Sequence, residues 1–365
     1  MIFTLTDRSY NILDIYICEE YLIGKYINSI IKTLSIDVFI TSENADQWVD
    51  GNYIMCQDSK GLNYWFTIYS VEDSLYSDTK TLTCYSGTID ILGEDANPIR
   101  RPSTPQPFEW YFNKIFYDTG ITIGINEVST LTRTLEFTSD NVSNVEMMHY
   151  VLKGFDNAEA ELEVIFEGSI PIALVLNIYR RIGDPLPQTL LTDDDSSLTK
   201  LSRKSSILNL ATCINPEGVN EEDSEKPITL VGKYYDEKDE DGNIMYYSPI
   251  DSPRIFSVIA RENYFVELPG KTNGEFEGYI TRMYKSQAVT QDSLWREALL
   301  QLKNIDHAEI EYATSGTIDC ELGDAIYIES RTMKPRILVT ARVVEYKFND
   351  DDPSKNEYVF SNYVE

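Results

Sequence analysis

The sequence predicts a mainly β chain of several domains, with an α+β insert and two similar small β-barrels. Three observations predict it. Short apolar runs, alternating and punctuated by Gly, Asn, Asp and Pro, recur through most of the chain. Helical spacing is confined to a few short segments. Two distant stretches also read as versions of one hairpin. The first runs Gly51-Asn52-Tyr53-Ile54, turns at Asp58-Ser59-Lys60-Gly61, and returns through Tyr64-Trp65-Phe66-Thr67-Ile68 to Val71-Glu72. The second runs Gly323-Asp324-Ala325-Ile326-Tyr327-Ile328, breaks at Met333-Lys334-Pro335, and returns through Arg336-Ile337-Leu338-Val339 to Val344-Glu345. From Gly to Val is 71 − 51 = 20 residues in one and 344 − 323 = 21 in the other. A chain that builds one β-module near each end sets two similar modules side by side. That is an assembly geometry, and it points away from a single buried active site.

Residues 1–100 form the first β region. Ile36-Asp37-Val38-Phe39-Ile40 alternates, and Asp50-Gly51-Asn52 and Ser59-Lys60-Gly61 are turns, so a small barrel is expected. Pro98, Pro102, Pro105 and Pro107 then bar both helix and central strand, which gives an extended connector. An α+β insert occupies 101–170. Phe108 to Tyr117 has helical spacing and Gly120 as a stop, and Val145 to Leu152 is a helix opened by a Ser143/Glu146 capping box. Ala160 to Phe166 and Pro171 to Tyr179 read as strands. Residues 171–285 form a β-rich region that partly completes the first barrel, interrupted by the acidic run Glu221 to Glu225 and by a second run from Asp236 to Asn243. A helical segment at 286–305 carries the stripe Leu294, Trp295, Ala298, Leu299 and Leu302. Residues 306–365 form the second barrel.

Composition narrows the function. At 365 residues the chain fits two to four domains, and 42% hydrophobic residues suffice for packed cores. The 25 tyrosines suit half-buried strands. With 31 basic against 60 acidic residues, a net charge of −29 disfavours tight binding of duplex DNA or anionic membranes. Such a surface lets DNA pass without adhering. No apolar run approaches the ~20 residues that span a bilayer, and Met1 to Asp7 has no secretory pattern. Cys18, Cys56, Cys84, Cys213 and Cys320 form no CxxC pair and are expected to be buried thiols made in a reducing cytoplasm.

The search for chemistry yields little. His149 and His307 have no partner at metal-ligand spacing, and no zinc, nucleophile-elbow or phosphate-loop motif is present. No catalytic residue and no cofactor is assigned. Glu237, Asp239 and Asp241, followed by Gly242, fit the opening of a calcium loop, but its twelfth position is Ser248 where a bidentate Glu is needed. The segment reads either as a hairpin turn with Asp-Gly at its tip or as a weak cation site. Arg180-Arg181 before Ile182-Gly183-Asp184 either bind an anion or pair with surface carboxylates.

The order of these elements carries a resemblance. A β region with Gly51 to Ile54 and Phe66 to Glu72 precedes the Pro-rich link and α+β insert. That insert ends in Val175 to Asp184, and much later come Leu322 to Ile328 and Ala341-Arg342-Val343-Val344-Glu345. The whole resembles the tail-associated lysin, or prophage tail endopeptidase, family of siphophages, and is similar in plan to the baseplate hub proteins of contractile tails. The resemblance implies a homotrimeric tail-tip hub whose three subunits contribute six barrel modules. Such a ring joins the distal tail protein or tail tube above to receptor-binding or tip proteins around and below. It opens for DNA, sits at the virion tail tip, and is assembled in the host cytoplasm. Longer members carry a C-terminal peptidase, whereas this chain stops at Tyr363-Val364-Glu365, so the enzymatic label is not expected to transfer. A peptidoglycan hydrolase and a host-saccharide-binding tail module are the alternatives.

Overall fold

A computed structural model describes residues 1–75, 77–87, 89–137, 142–168, 170–185, 189–193, 198–220, 226–267 and 278–362. The acidic run at 221–225 and the last three residues lie outside the described residues. The chain divides into two compact units, one made of Met1–Ser202 with Tyr312–Tyr363, the other built on Arg203–Glu311.

A thirteen-stranded sheet forms most of the first unit, its strands Leu198–Ser206 and Glu309–Gly316 running across the boundary between the units. Its path runs from Ile12–Ile17 through Ile2–Thr6, Tyr53–Gln57, Asn63–Glu72, Thr79–Ser86, Ser29–Phe39 and Tyr21–Tyr26. It continues into Ile337–Phe348, Glu357–Asn362, Glu309–Gly316 and Leu198–Ser206. Ala325–Ser330 lies on the other side of Ile337–Phe348, with Thr189–Thr192 parallel beside it. Alternation fixes which face is buried. In Thr79–Ser86 every second residue, Lys80, Leu82, Cys84 and Ser86, is buried. Phe3, Leu34, Ile54, Phe66 and Leu82 meet in one core.

The two small barrels expected from the sequence are not confirmed. Among the described residues no barrel closes, and both predicted β regions belong to the one sheet. The cause is the 12-residue length of Ile337–Phe348. Its first half pairs with Ala325–Ser330, and its last four residues pair with the strand Tyr21–Tyr26 of the N-terminal region. The two regions are thereby joined edge to edge.

The two helices and two strands expected around the insert are present, together with a strand, Ile121–Asn126, that the sequence did not signal. Helices Phe108–Ile115 and Asn144–Gly154 share a core with the sheet of Ile121–Asn126, Glu159–Glu167 and Ile170–Tyr179. Ser143 caps the second helix: its Oγ accepts from Glu146 N at 3.3 Å while the Glu146 carboxylate accepts from Ser143 N at 2.9 Å. Such a cap contributes about 1 kcal/mol. Within the Pro-rich connector Ile99 forms an isolated bridge with Phe137, and Gln106–Pro107 forms a strand paired with Thr132–Arg133.

The second unit has a five-stranded sheet in the order Tyr235–Lys238, Ile244–Ser248, Ile255–Ser257, Cys213–Glu217, Thr281–Lys285. Helix Gln291–Ile305 buries the predicted stripe Leu294, Trp295, Ala298, Leu299 and Leu302 against it. Thr290 caps that helix by accepting from Ser293 N at 3.2 Å. A six-residue helix, Val258–Asn263, is too short to leave a periodic signal in the sequence. All five cysteines are buried thiols.

Candidate functional site

The two hairpins are real, and their likeness extends to individual hydrogen bonds. Gly51 and Gly323 each stand two residues before a strand, with φ of +87° and +90°. Glycine adopts this left-handed backbone at little cost. Gly51 N–H donates to the Ile68 carbonyl at 2.8 Å, and Ile68 N–H donates to the Asn52 carbonyl at 2.9 Å. Gly323 N–H donates to the Val343 carbonyl at 2.9 Å, and Val343 N–H to the Asp324 carbonyl at 2.9 Å. Beyond them Tyr53 and Ile54 face Thr67 and Phe66, as Ala325 and Ile326 face Arg342 and Ala341. Each returning strand then bulges at once, between Ile68 and Ser70 and between Val343 and Glu345, against a third strand.

These pairings correct the alignment read from sequence. Gly51 to Ile68 is 68 − 51 = 17 residues, whereas Gly323 to Val343 is 343 − 323 = 20, because the second hairpin has one more paired position and a longer loop. The counterpart of Val344 is therefore the bulged Tyr69, and that of Tyr346 is Val71.

An arginine clamps each glycine. Arg8 Nε donates to the Gly51 carbonyl at 2.9 Å, with its guanidinium against Asp90. Arg342 Nε donates to the Gly323 carbonyl at 3.0 Å, with its guanidinium forked onto both oxygens of Glu159. The two arginines come from different places in the module, since the counterpart of Arg342 is Thr67. Their surroundings also differ: the Arg8 and Asp90 side chains are 52% and 42% exposed, those of Arg342 and Glu159 15% and 12%. The Asp90 contact holds the Arg8 guanidinium above its ordinary value.

The hairpin loops are capped in two ways. Asp58, inside the first loop, accepts from Lys60 N at 3.0 Å, Leu62 N at 2.8 Å and Tyr64 Oη at 2.9 Å. The second loop is capped from outside by Asp193, which accepts from Arg331 N at 2.7 Å and Thr332 N at 3.0 Å. Hydrogen bonding, from the Ser330 hydroxyl foremost, holds the Asp193 carboxyl at about 2.

The second module also receives the segment Ile182-Gly183-Asp184. Asp184 N–H donates to Asp324 Oδ1 at 2.7 Å, and Ala325 N–H to the Asp184 carbonyl at 2.9 Å. Gly183 and Gly323 abut so closely that a Cβ on Gly183 would lie 2.2 Å from the Gly323 carbonyl carbon. Two segments singled out in the sequence for separate reasons thus meet. Arg180 meets Glu127, its backbone N–H on the carboxylate at 2.8 Å and its Nε on the carbonyl at 3.4 Å.

The candidate cation residues are placed differently. Tyr235–Lys238 and Ile244–Ser248 form an antiparallel hairpin with Gly242 at φ +85°. Asp239 accepts from Asp241 N at 3.0 Å and Asn243 N at 2.8 Å, and Glu237 pairs with Lys303 at 2.6 Å. Asp241 is exposed and meets Asp239 through its backbone N–H. Among the described residues no group of three His, Cys, Asp or Glu could hold a metal ion. His307 Nδ1 lies 3.1 Å from Asp306 Oδ1, and burial lowers the pKa of His149. Among the described residues no helix is long and apolar enough to cross a membrane.

Sequence reasoning missed Arg8, Asp90, Glu159, Asp193 and Arg342 as partners of the hairpins. The repeated Gly-Asn and Gly-Asp dipeptides were the available signal, but they do not name distant partners.

No protein-family model matches the chain, and no curated protein matches it in sequence. Solved structures do match its fold. Prophage tail protein gp18 from Listeria monocytogenes EGD-e is similar at a TM-score of 0.58 and 14% identity, covering 100% of this chain and 95% of that one. The 43 kDa tail protein of prophage MuSo2 from Shewanella oneidensis gives 0.59 and 10%, covering 100% and 98%. A tail protein from Neisseria meningitidis MC58 gives 0.57 and 10%, covering 99% and 96%. The chain therefore has, over its whole length, the fold of these tail proteins.

Proposed function

We propose that the protein is a structural component of the tail of a bacteriophage or prophage, acting as a trimeric hub at the tail tip. The observation that carries this reading is the duplicated hairpin module. Three copies of a chain with two such modules present six, which suits a joint between sixfold tail parts and threefold tip parts. The likeness to three tail proteins over nearly all of each chain supports the tail assignment.

In this reading the ring caps or extends the tail tube. It contacts the distal tail protein or tube on one side and receptor-binding or tip proteins on the other, and it opens to let DNA through. The net charge of −29 supports passage without adhesion, with acidic side chains lining the channel. The hub is assembled in the host cytoplasm and works without a cofactor or catalytic centre of its own. Light scattering of the purified full chain tests the trimer: three times the 41.9 kDa chain mass is expected. A strictly monomeric protein that also fails to enter tails overturns the proposal.

A further inference from the structure

The two modules differ most at one edge. In the second module the strand continues past its bulge and pairs with the first module, Glu345 opposite Tyr26 and Phe348 opposite Ile23. The corresponding residues of the first module are Ser70, Val71, Glu72 and Asp73. Ser70, Val71 and Glu72 pair with Thr79–Ser86 on one side, and among the described residues no strand meets them on the other; Asp73 directly follows the strand. Burial follows this difference. Phe348 is buried and Tyr346 and Lys347 half-buried, while Ser70, Glu72 and Asp73 are exposed.

The strand that covers Glu345–Phe348 has its own counterpart. Tyr21–Tyr26 lies next but one to the third strand of the first module, across Ser29–Phe39. Next but one to the third strand of the second module, across Glu309–Gly316, lies Leu198–Ser206, the last strand of that sheet among the described residues. Ser202 Oγ on the Ala313 carbonyl at 3.2 Å and Lys204 on Glu311 at 3.1 Å set Ser202 beside Ala313 and Lys204 beside Glu311. Gly316 N–H on the Asn356 carbonyl at 3.0 Å fixes that of the next pair. By these registers Ile23 and Tyr26 correspond to Arg203 and Ser206.

We propose that the free edge of Leu198–Ser206 in one copy pairs with the free edge at Ser70–Asp73 in a second copy of this chain. The sheet is thereby continued between subunits as it is already continued within each one. This rests on the trimer reading above and specifies its interface. Copying the internal register sets Val71 opposite Ser205, Glu72 opposite Lys204 and Asp73 opposite Arg203. Two acids meet two bases in a chain with almost twice as many acidic as basic residues, and opposite charges facing across strands favour pairing. Lysine on an edge strand also deters unwanted pairing. The matched carboxylates at the counterpart edge are what single out this partner. Each copy gives one edge and takes another, so the contact is head-to-tail and closes as a ring.

The test uses the full chain with Val71→Cys and Ser205→Cys together. Facing strand residues lie at a separation a disulfide can bridge, and the five native thiols are buried. Under mild oxidation, linked dimers and trimers are expected from the double variant and none from either single variant. A protein that is trimeric in solution but stays unlinked overturns this interface and leaves the trimer standing; a monomer overturns both. As a second measurement, Glu72→Lys with Asp73→Arg should weaken assembly about tenfold or more. Adding Arg203→Asp and Lys204→Glu should restore it. Unchanged assembly in the first variant also overturns the proposal.

Discussion

The first and second hairpin modules share a backbone and differ in what holds it. Both have a left-handed glycine, a reciprocal pair of backbone hydrogen bonds, a bulge and an arginine on the glycine carbonyl. In the first, these supports are local or exposed: Asp58 caps its own loop, and Arg8 and Asp90 meet in solvent. In the second they come from afar and are buried: Glu159 from the insert, Asp193 and Gly183 from the chain beyond it. The same motif thus has its distant contacts at the exposed loop in one place, Ser59 N–H on Asp350 and Lys60 on Glu321, and buried beside its glycine in the other. Past its bulge, the returning strand of the first module has no partner on one side among the described residues, whereas that of the second is covered by Tyr21–Tyr26.

That contrast can be broken by mutation. Arg342→Ala leaves the Glu159 carboxylate buried without its counter-charge, and a cost of about 3–5 kcal/mol is expected in denaturant unfolding. Arg8→Ala removes the same bond to a glycine in an exposed pair and should cost less than about 1 kcal/mol. Equal losses would show that burial does not separate the modules.

The glycines give a smaller contrast. Gly323→Ala combines a left-handed backbone with a Cβ 2.2 Å from the Ile182 carbonyl oxygen. The expected cost is about 3 kcal/mol, from strain and overpacking together. At Gly51 the nearest neighbour of an added Cβ is an Arg8 side-chain atom at 3.8 Å. Only the backbone cost of about 1–2 kcal/mol is expected there. Thermal unfolding of the two variants side by side decides it.

The smallest effect is local. Asp193→Asn should speed amide exchange at Arg331 and Thr332 and leave Lys60 and Leu62 unchanged, because Asp58 caps the first loop. The pH dependence has the same sign. The folded carboxyl of Asp193 sits at about 2 against an ordinary 3.8, so its contribution is complete above about 4 and is lost as pH falls through about 2. Protection at Arg331 that rises on acidification would contradict the assignment.

Much of this was legible in the sequence. The glycines before the strands, the Ser143 cap, and the Trp295 stripe are local signals, read from residues a few positions apart. What escaped reading is long-range. The pairing of Tyr26 with Glu345, which joins two expected barrels into one sheet, has no local signature. Neither has the meeting of Arg342 with Glu159. The false match of Val71 to Val344 arose because a longer second hairpin happens to restore nearly the same spacing. Of the two readings that the acidic run Glu237, Asp239 and Asp241 left open, the hairpin turn is the one the fold contains: Glu237 pairs with Lys303, and Asp239 accepts from the backbone of its own turn.

The central claim is that one chain supplies two equivalent modules, so that three chains make a ring of six. Electron-microscopic averages of the purified particle viewed down its axis test it most directly. The account predicts a closed ring of six similar densities with threefold symmetry. A ring of three or of any number other than six, or single chains with no ring, would contradict it.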